Sequence, residues 1–220
     1  MKRYVDLKEI SDGKLYTARD MVKADCMGCK GCSKCCHGMG DTIILDPYDV
    51  YRWKKGLGRD LEVFLAEGTA ALGVVDGVIL PHLAMQGPEE KCGFLNEEGR
   101  CTIHAVRPGI CRLFPLGRYY ENGDFRYFLQ KDECDKPKAK IKVEKWLETE
   151  DLPSYEAFIR QWHELLMQAQ ELLTGQEEGF QKNLNLFLLK TFFLTPYESD
   201  ASFYQQYHDR KVKYREIVTG

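Results

Sequence analysis

Nine cysteines, distributed very unevenly, constrain this chain more than any other feature. Five lie within residues 26–36, four lie between residues 92 and 134, and none follows Cys134. In the first group, C-M-G-C-K-G-C-S-K-C-C, four cysteines recur at every third residue and a fifth follows directly. Two residues between thiols let a chain curl round one metal ion, and Gly28 and Gly31 supply the backbone freedom that such curls need. We therefore interpret this run as half of a metal site.

The later cysteines are expected to supply the other half. A hairpin predicted over residues 92–103 would bring Cys92 close to Cys101, and a hairpin over residues 118–128 would return the chain to the site before Cys134. Cys26 also belongs to the first group, but it lies outside the core of the pattern, so we treat it separately as an additional candidate. The predicted metal ligands are Cys29, Cys32, Cys35, Cys36, Cys92, Cys101, Cys111 and Cys134.

Histidines and arginines next to these cysteines have weaker claims. His37 directly follows Cys36 and is expected to hydrogen-bond near the site rather than to ligate. His104 stands three residues after Cys101, a workable ligand spacing, although ordinary histidine roles are favoured. Arg107 and Arg112 flank Cys111 and would either balance thiolate charge or form structural ion pairs. No motif for a general acid, a general base or a nucleophile is recognised, so whether the chain is an enzyme stays open.

Composition limits the partners and the compartment. Charged residues make up 30% of the chain and the net charge is −3, without a block of like charge that would suit nucleic acid or a membrane surface. No apolar segment near the N-terminus resembles a secretory signal, and no stretch is long enough to span a membrane. Clustered thiols in a chain without an export signal favour the cytoplasm, where they bind metal instead of forming disulfides. The expected partner is a metal ion or cluster, with a protein partner as a further candidate.

The predicted fold class is α+β: a small irregular metal-bound body with short hairpins and helices, followed by a helical extension. Asp46 and Pro47 predict a helix start, with an end at Gly56 or Gly58, and a short helix follows Asp60. Asp76–Gly77 predicts the turn of a hairpin over residues 73–80. We place the cysteine-cluster metal-binding domain at residues 1–140 and the extension, packed on it, at residues 141–220. Its three helices are predicted from a Ser154 cap to Gly175, over residues 178–194, and from about Asp200.

The order and spacing of the cysteines resemble a known family. Cys29-x2-Cys32-x2-Cys35–Cys36 is followed by Cys92-x8-Cys101 and then by C-T-I-H-A-V-R-P-G-I-C-R-L-F-P over residues 101–115. This pattern is similar to that of the YkgJ family, the CxxCxxCC cysteine-cluster proteins, which are described as zinc- or iron-chelating. The resemblance covers about residues 26–134 and leaves the helical tail unaccounted for. It implies metal chelation and, through related flagellin lysine methylases, an iron–sulfur cluster.

The cofactor can be argued both ways from the residues. Eight cysteines could fill two zinc sites of four thiolates each. An iron–sulfur cubane commonly takes three ligands from a tight run and a fourth from afar, although the longer third spacing and the proline of the ferredoxin run are missing here. We favour iron–sulfur over zinc. The first functional hypothesis is electron transfer, or an accessory role in a redox or modification reaction. The alternatives are a zinc-stabilised protein-interaction module without catalysis and a cluster-dependent transferase related to the flagellin lysine methylases.

Overall fold

The computed structural model describes residues 6–26, 32–134 and 139–219. The described residues form eight α-helices and eight short strands, so the predicted α+β class is confirmed. The helices are α1 (Leu7–Ile10), α2 (Pro47–Leu57), α3 (Leu61–Ala66), α4 (Gly109–Leu113), α5 (Val143–Leu147), α6 (Leu152–Leu173), α7 (Glu178–Leu189) and α8 (Phe203–Thr219). The strands are β1 (Met21–Asp25), β2 (Ala70–Val75), β3 (Val78–Leu83), β4 (Met85–Gln86), β5 (Lys91–Cys92), β6 (Leu116–Glu121), β7 (Asp124–Leu129) and β8 (Ala139–Lys142).

Two of the predicted hairpins are confirmed. Strands β2 and β3 pair antiparallel with Val75 opposite Val78, and the Asp76–Gly77 turn between them has φ angles of 50° and 84°. Positive φ at both central residues is the geometry that matches the twist of a two-residue hairpin, which explains the Asp-Gly pair. Strands β6 and β7 pair with Glu121 opposite Asp124, as the sequence predicts.

The third predicted hairpin, over residues 92–103, turns where the sequence predicts, but its two arms are joined by one antiparallel bridge and not by paired strands. Strand β5 pairs with β4 instead, with Met85 opposite Cys92, and a single bridge joins Leu95 to Cys101. The cause is the Asn96 side chain, whose Oδ1 accepts from the backbone N–H groups of Glu98 and Arg100 at 3.1 and 2.8 Å. These bonds hold residues 96–100 in a tight loop, because a local side-chain acceptor competes with a strand ladder. Cys92 and Cys101 are nevertheless drawn towards each other by the bridge.

The pairing of β1 with β8 is not evident from the sequence. Met21 lies opposite Lys142 and Asp25 opposite Ala139, in antiparallel register with one irregularity. This pair joins the segment that precedes Cys26 to the segment that follows Cys134. It therefore fixes both ends of the cysteine-bearing part of the chain at one place.

The helix ends follow local capping chemistry. Asp46 and Asp49 form a reciprocal capping box at the start of α2, and the helix ends at Gly58, which has a φ of 67°. The predicted Ser154 cap of α6 is wrong: the helix starts three residues earlier, because the Asp151 side chain accepts a hydrogen bond from the Ser154 backbone. Helix α7 passes at Leu189 into one π-helical turn, Lys190–Leu194.

The helices of the tail pack on the cysteine-bearing part through aromatic side chains. The ring of Tyr48 in α2 lies 5.0 Å from that of Phe203 in α8, and Phe158 in α6 lies 4.8 Å from Tyr207. Trp162 and Phe192 are 5.2 Å apart, and all these rings belong to one buried apolar cluster with β3 and α3. Burial of such large side chains provides most of the stability of a packed domain. None of the helices in the described ranges has an apolar stretch long enough to cross a membrane.

Candidate metal centre

Two segments far apart in sequence bring Cys36 next to Cys92. A short 3-10 turn, Lys34–Cys36, is closed by a hydrogen bond of 2.8 Å from the Cys36 N–H to the Ser33 carbonyl. The chain then runs antiparallel to β5, with a bridge between His37 and Lys91. The Gly38 N–H donates to the Glu90 carbonyl at 2.9 Å. Because Cys36 and Cys92 each adjoin this bridge, the first cysteine group faces the second.

The loop from Cys101 to Cys111 adds two more thiols. It contains the 3-10 turn His104–Val106 and then α4, and Cys111 sits in the middle of that short helix. The Arg112 N–H donates to the Pro108 carbonyl at 3.0 Å, which closes the first turn of α4. Hydrogen bonds inside the loop therefore give Cys101 and Cys111 a defined separation without any strand pairing.

Five thiols are close enough to influence one another electrostatically. Burial raises the pKa of Cys111, and the charges of Asp49, Cys92, Cys35 and Cys101 raise it further. Burial also raises the pKa of Cys92, with added contributions from Cys101 and Cys35. Such mutual repulsion between thiolates is relieved when a cation binds among them. The structure thus gathers Cys35, Cys36, Cys92, Cys101 and Cys111 into one group, which we call the thiol cluster.

Cys35 and Cys36 share a proton. A hydrogen bond from Cys36 is the largest cause that lowers the pKa of Cys35, to about 7. The same hydrogen bond is the largest cause that raises the pKa of Cys36. The positive charges of Arg107 and His37 lower the pKa of Cys35 further. The hydrogen bond therefore favours the thiolate on Cys35 over the thiolate on Cys36.

Backbone N–H groups also support thiolates in the cluster. The Phe94 N–H donates to Cys92 and the Ile103 N–H donates to Cys101, and each bond acts against the effect of burial on the thiol pKa. Donors that stabilise a thiolate in a partly dehydrated place suit soft metals such as zinc and iron. The chemistry of the donor set therefore fits a zinc ion or an iron–sulfur cluster. Within the described part of the chain, however, no three His, Cys, Asp or Glu side chains are arranged so that they could hold a metal ion.

Comparison with known proteins identifies the same segment. The model of a family described as "CxxCxxCC: Putative zinc- or iron-chelating domain" matches residues 28–139, half of the chain. The chain belongs to the CxxCxxCC family. Curated proteins and solved structures give no significant match to it. The CxxCxxCC segment contains eight of the nine cysteines, all except Cys26, and its description assigns metal chelation to this part of the molecule.

Three cysteines of the described residues, Cys26, Cys32 and Cys134, lie outside the thiol cluster. Cys29, together with Gly28 and Gly31, falls outside the described residues. Cys32 and Cys134 are half-buried, and Cys134 packs against the apolar core at the end of a described segment. Cys26 is only 5% exposed and directly follows β1, whose last residue, Asp25, pairs with Ala139 of β8.

The two histidines near the cysteines are engaged with other groups. The His37 Nδ1 lies 2.9 Å from the Ser33 carbonyl, which orients the ring beside the 3-10 turn. The His104 Nε2 lies 3.0 Å from the Arg107 Nη1 and accepts from that guanidinium. Burial and then the Arg107 charge lower the pKa of His104, so the neutral ring is favoured. Both histidines therefore make contacts that orient neighbouring groups, as expected for residues beside a metal site that do not ligate the metal.

Arg107 also borders a small cavity that sequence reasoning does not find. Its Nη2 lies 3.5 Å from the Glu148 carboxylate, and its charge opposes the rise that burial causes in the pKa of Cys101. The cavity measures about 90 Å³, room for about three water molecules. Its lining residues are Asp25, His104, Arg107, Ile141, Lys145, Trp146 and Glu148. They come from three separate parts of the chain, so no local sequence motif indicates the cavity.

Proposed function

We propose that this CxxCxxCC protein binds an iron–sulfur cluster through its thiol cluster and acts in electron transfer or as an accessory to a redox or modification reaction. The proposed ligands are drawn from Cys29, Cys32, Cys35, Cys36, Cys92, Cys101, Cys111 and Cys134, with Cys26 as an additional candidate. The observation that carries the proposal is the gathering of five partly or fully buried thiols from three separate segments into one electrostatic group.

The spacing of the first cysteines is what favours an iron–sulfur cluster. A structural zinc and an iron–sulfur cluster each take four thiolates, so the five members of the thiol cluster do not decide between them, whereas a cubane commonly takes three ligands from a tight run such as Cys29-x2-Cys32-x2-Cys35. An iron–sulfur cluster would use thiolates from both the Cys35–Cys36 turn and the loop between Cys101 and Cys111. When bound, such a cluster supplies one-electron chemistry. Zinc is the alternative occupant, and it would make the protein a metal-stabilised interaction module.

The surrounding residues have definite tasks in this proposal. The Arg107 charge adds to the hydrogen bond from Cys36 that lowers the pKa of Cys35, and it opposes the rise that burial causes in the pKa of Cys101. The N–H groups of Phe94 and Ile103 hydrogen-bond to sulfur, which in iron–sulfur proteins is one of the factors that set the reduction potential. The charged lining of the adjacent cavity gives a small polar molecule a place beside Arg107.

Anaerobic purification tests the proposal directly. The protein should be brown, absorb in the visible thiolate-to-iron region, and contain iron and acid-labile sulfide. A colourless protein that contains zinc would replace the iron–sulfur cluster by the zinc alternative. A protein that takes up neither metal would contradict the proposal as a whole.

Single serine variants test the ligand set. We expect Cys29→Ser, Cys35→Ser, Cys92→Ser and Cys111→Ser each to lose the whole metal content if one centre is shared. Loss in half-steps would indicate two centres. Cys26→Ser, outside the CxxCxxCC segment, tests the additional candidate: loss of metal would add Cys26 to the ligand set, and full metal content would leave it out.

A further inference from the structure

Helix α2 contains no cysteine, yet it contacts the loop between Cys101 and Cys111 at three places. Asp49, Arg52 and Gly56 all face this loop. They are spaced by three and four residues, so they lie on one face of the helix. The contacts reach residues 105–109, the part of the loop between its two thiols.

Arg52 makes the central contact through its guanidinium group. Nη2 donates to the Ala105 carbonyl at 2.6 Å and Nη1 donates to the Arg107 carbonyl at 3.2 Å. A planar guanidinium holds two acceptors in a fixed geometry, which a lysine ammonium does not do. Arg52 therefore fixes the backbone on both sides of Val106. It also fixes the backbone from which the Arg107 side chain extends towards Cys35 and Cys101.

Asp49 holds the end of the loop that carries Cys111. Its Oδ1 accepts from the Gly109 N–H at 2.7 Å, and its Oδ2 accepts from the Asp46 N–H at 3.1 Å. Gly109 is the first residue of α4 and precedes Cys111 by two positions. A side chain on Gly109 would overlap the Tyr155 hydroxyl, so the start of α4 is held between α2 and α6. Since Asp49 is only 1% exposed, water does not replace this bond easily.

Gly56 lets the loop approach the helix closely. A Cβ at this position would lie 2.5 Å from the Val106 Cγ1, nearer than real carbon atoms pack. Glycine inside a helix costs about 0.5–1 kcal/mol relative to alanine. Close packing of Val106 against the helix backbone explains why glycine stands there. The helix thus meets the loop by polar contacts at Asp49 and Arg52 and by an apolar contact at Gly56.

We infer that α2 is a template that positions Cys101 and Cys111 for metal, with Asp49, Arg52 and Gly56 as its positioning residues. The inference rests on the proposed metal function. A loop that is already held in place loses less conformational freedom when the metal binds, and affinity rises accordingly. Residues that orient metal ligands from outside the ligand set change metal affinity by about 10–100-fold when they are replaced.

The test is a titration of the reduced, metal-free full chain with cobalt(II), whose thiolate charge-transfer and ligand-field bands report affinity and geometry. Measurements are made at a temperature at which circular dichroism shows every variant to be folded. We expect Arg52→Ala to bind cobalt(II) about 10–100-fold more weakly, with shifted ligand-field bands. Arg52→Lys should recover only part of the loss, because it keeps the charge without the two-carbonyl geometry. The matched control is Lys54→Ala, which removes an ion pair with Asp60 on the same helix and should match the wild type.

A compensating pair distinguishes positioning from general stability. Gly56→Ala should weaken cobalt(II) binding although it improves helix propensity, because the new methyl group displaces Val106. The double variant Gly56→Ala with Val106→Ala removes the colliding methyl groups and should restore the wild-type affinity and bands. Asp49→Asn should bind cobalt(II) more weakly than the control. If Asp49→Asn folds poorly, Arg52→Ala alone decides the outcome.

The outcomes separate this inference from the proposed function. A wild-type protein that binds no cobalt(II) would overturn both. A wild-type protein that binds, with Arg52→Ala and Gly56→Ala matching it in affinity and in bands, would overturn the template role of α2 alone. Weaker binding by both variants, with recovery in the double variant, would support it.

Discussion

The two halves of the molecule differ in how they are held together. Apart from α2, the described chain next to the thiol cluster forms two-residue strands, β4 and β5, and helical turns of three to five residues. The helical layer of α6, α7 and α8 contains a 22-residue helix, a 12-residue helix and a 17-residue helix. Short elements bury few side chains of their own, whereas long amphipathic helices bury a continuous apolar face.

The chemistry of the buried groups differs in the same way. The helical layer buries large rings, with Phe192 fully buried and Phe158, Phe193 and Tyr207 each 2% exposed. The cysteine half also buries rings, such as Trp53 and Phe64, but it adds partly buried thiols that repel one another when they ionise. Apolar burial stabilises the first half under any conditions in which water is the solvent. The second half reaches its full stability only when a cation neutralises its thiolates, so metal should act on one half more than on the other.

Removing the metal should produce the largest difference in stability between the cysteine half and the helical layer. Treating the metal-loaded protein with a chelator and a reductant should expose the amides of residues 92–111 to hydrogen exchange, because binding free energy is also folding free energy at such a site. Amides of α6 should keep most of their protection. Native-state hydrogen exchange measured by mass spectrometry checks both. Equal loss of protection in α6 and in the loop would show that the two halves unfold as one unit.

Trp162→Ala tests the helical layer from the other side. The indole is 6% exposed and packs between Phe192, Phe193 and Tyr207. Its removal should lower the free energy of unfolding by about 3–5 kcal/mol, because a large cavity is left behind. Urea denaturation measures this loss, and metal content per folded chain should not change. The control is Val212→Ala on α8, where the side chain is 40% exposed and the effect should stay within about 0.5 kcal/mol.

Gly117→Ala examines the hairpin that joins the two halves. A Cβ at Gly117 in β6 would overlap the ring of Phe128 in β7, which lies directly opposite. We expect a loss of about 1–3 kcal/mol in unfolding free energy, since the ring has to move within packed surroundings. Thermal melting followed by circular dichroism measures it. Replacing the Phe128 ring by a smaller side chain, in the double variant Gly117→Ala with Phe128→Leu, should recover part of the lost stability. If stability is not recovered, the collision between the new methyl group and the ring is not the cause of the loss.

The pH dependence of the metal-free protein tests the cost of burying thiols. Burial raises the pKa of Cys111 above its ordinary value of 9.0, so this thiol stabilises the fold fully below pH 9 and its contribution is lost as pH rises. Between pH 8 and pH 10 the wild type should therefore lose about 1 kcal/mol relative to Cys111→Ala. Urea denaturation of both chains at each pH gives the difference. A constant difference would show that Cys111 is not buried in the native protein without metal.

Local signals in the sequence predict much of the fold and only part of the site. The Asp46–Pro47 start of α2 and the Asp76–Gly77 turn are predicted correctly, because a few neighbouring residues determine them. The β1–β8 pair joins residues more than a hundred positions apart, and the sequence of either strand does not indicate which strand it pairs with. The spacing of the cysteines is enough to indicate metal binding, whereas the set of cysteines that ligate the metal stays a prediction. The contacts of Arg52 with the loop depend on how α2 lies in space, and its sequence neighbours do not reveal them.

The smallest expected effect concerns the surface between the two halves. Arg160 in α6 lies 3.2 Å from the Asp124 carboxylate at the start of β7, and their side chains are 35% and 70% exposed. Water screens such a pair, so Arg160→Ala should change the unfolding free energy by no more than about 0.5 kcal/mol. Urea denaturation at low and high salt measures it. A loss above about 1 kcal/mol would mean that the stacking of Arg160 over the Phe125 ring, at 5.7 Å, matters more than the ion pair. The contact between the helical layer and the β6–β7 hairpin would then depend on this aromatic packing, and Phe125→Leu would reproduce the loss while Asp124→Asn would not.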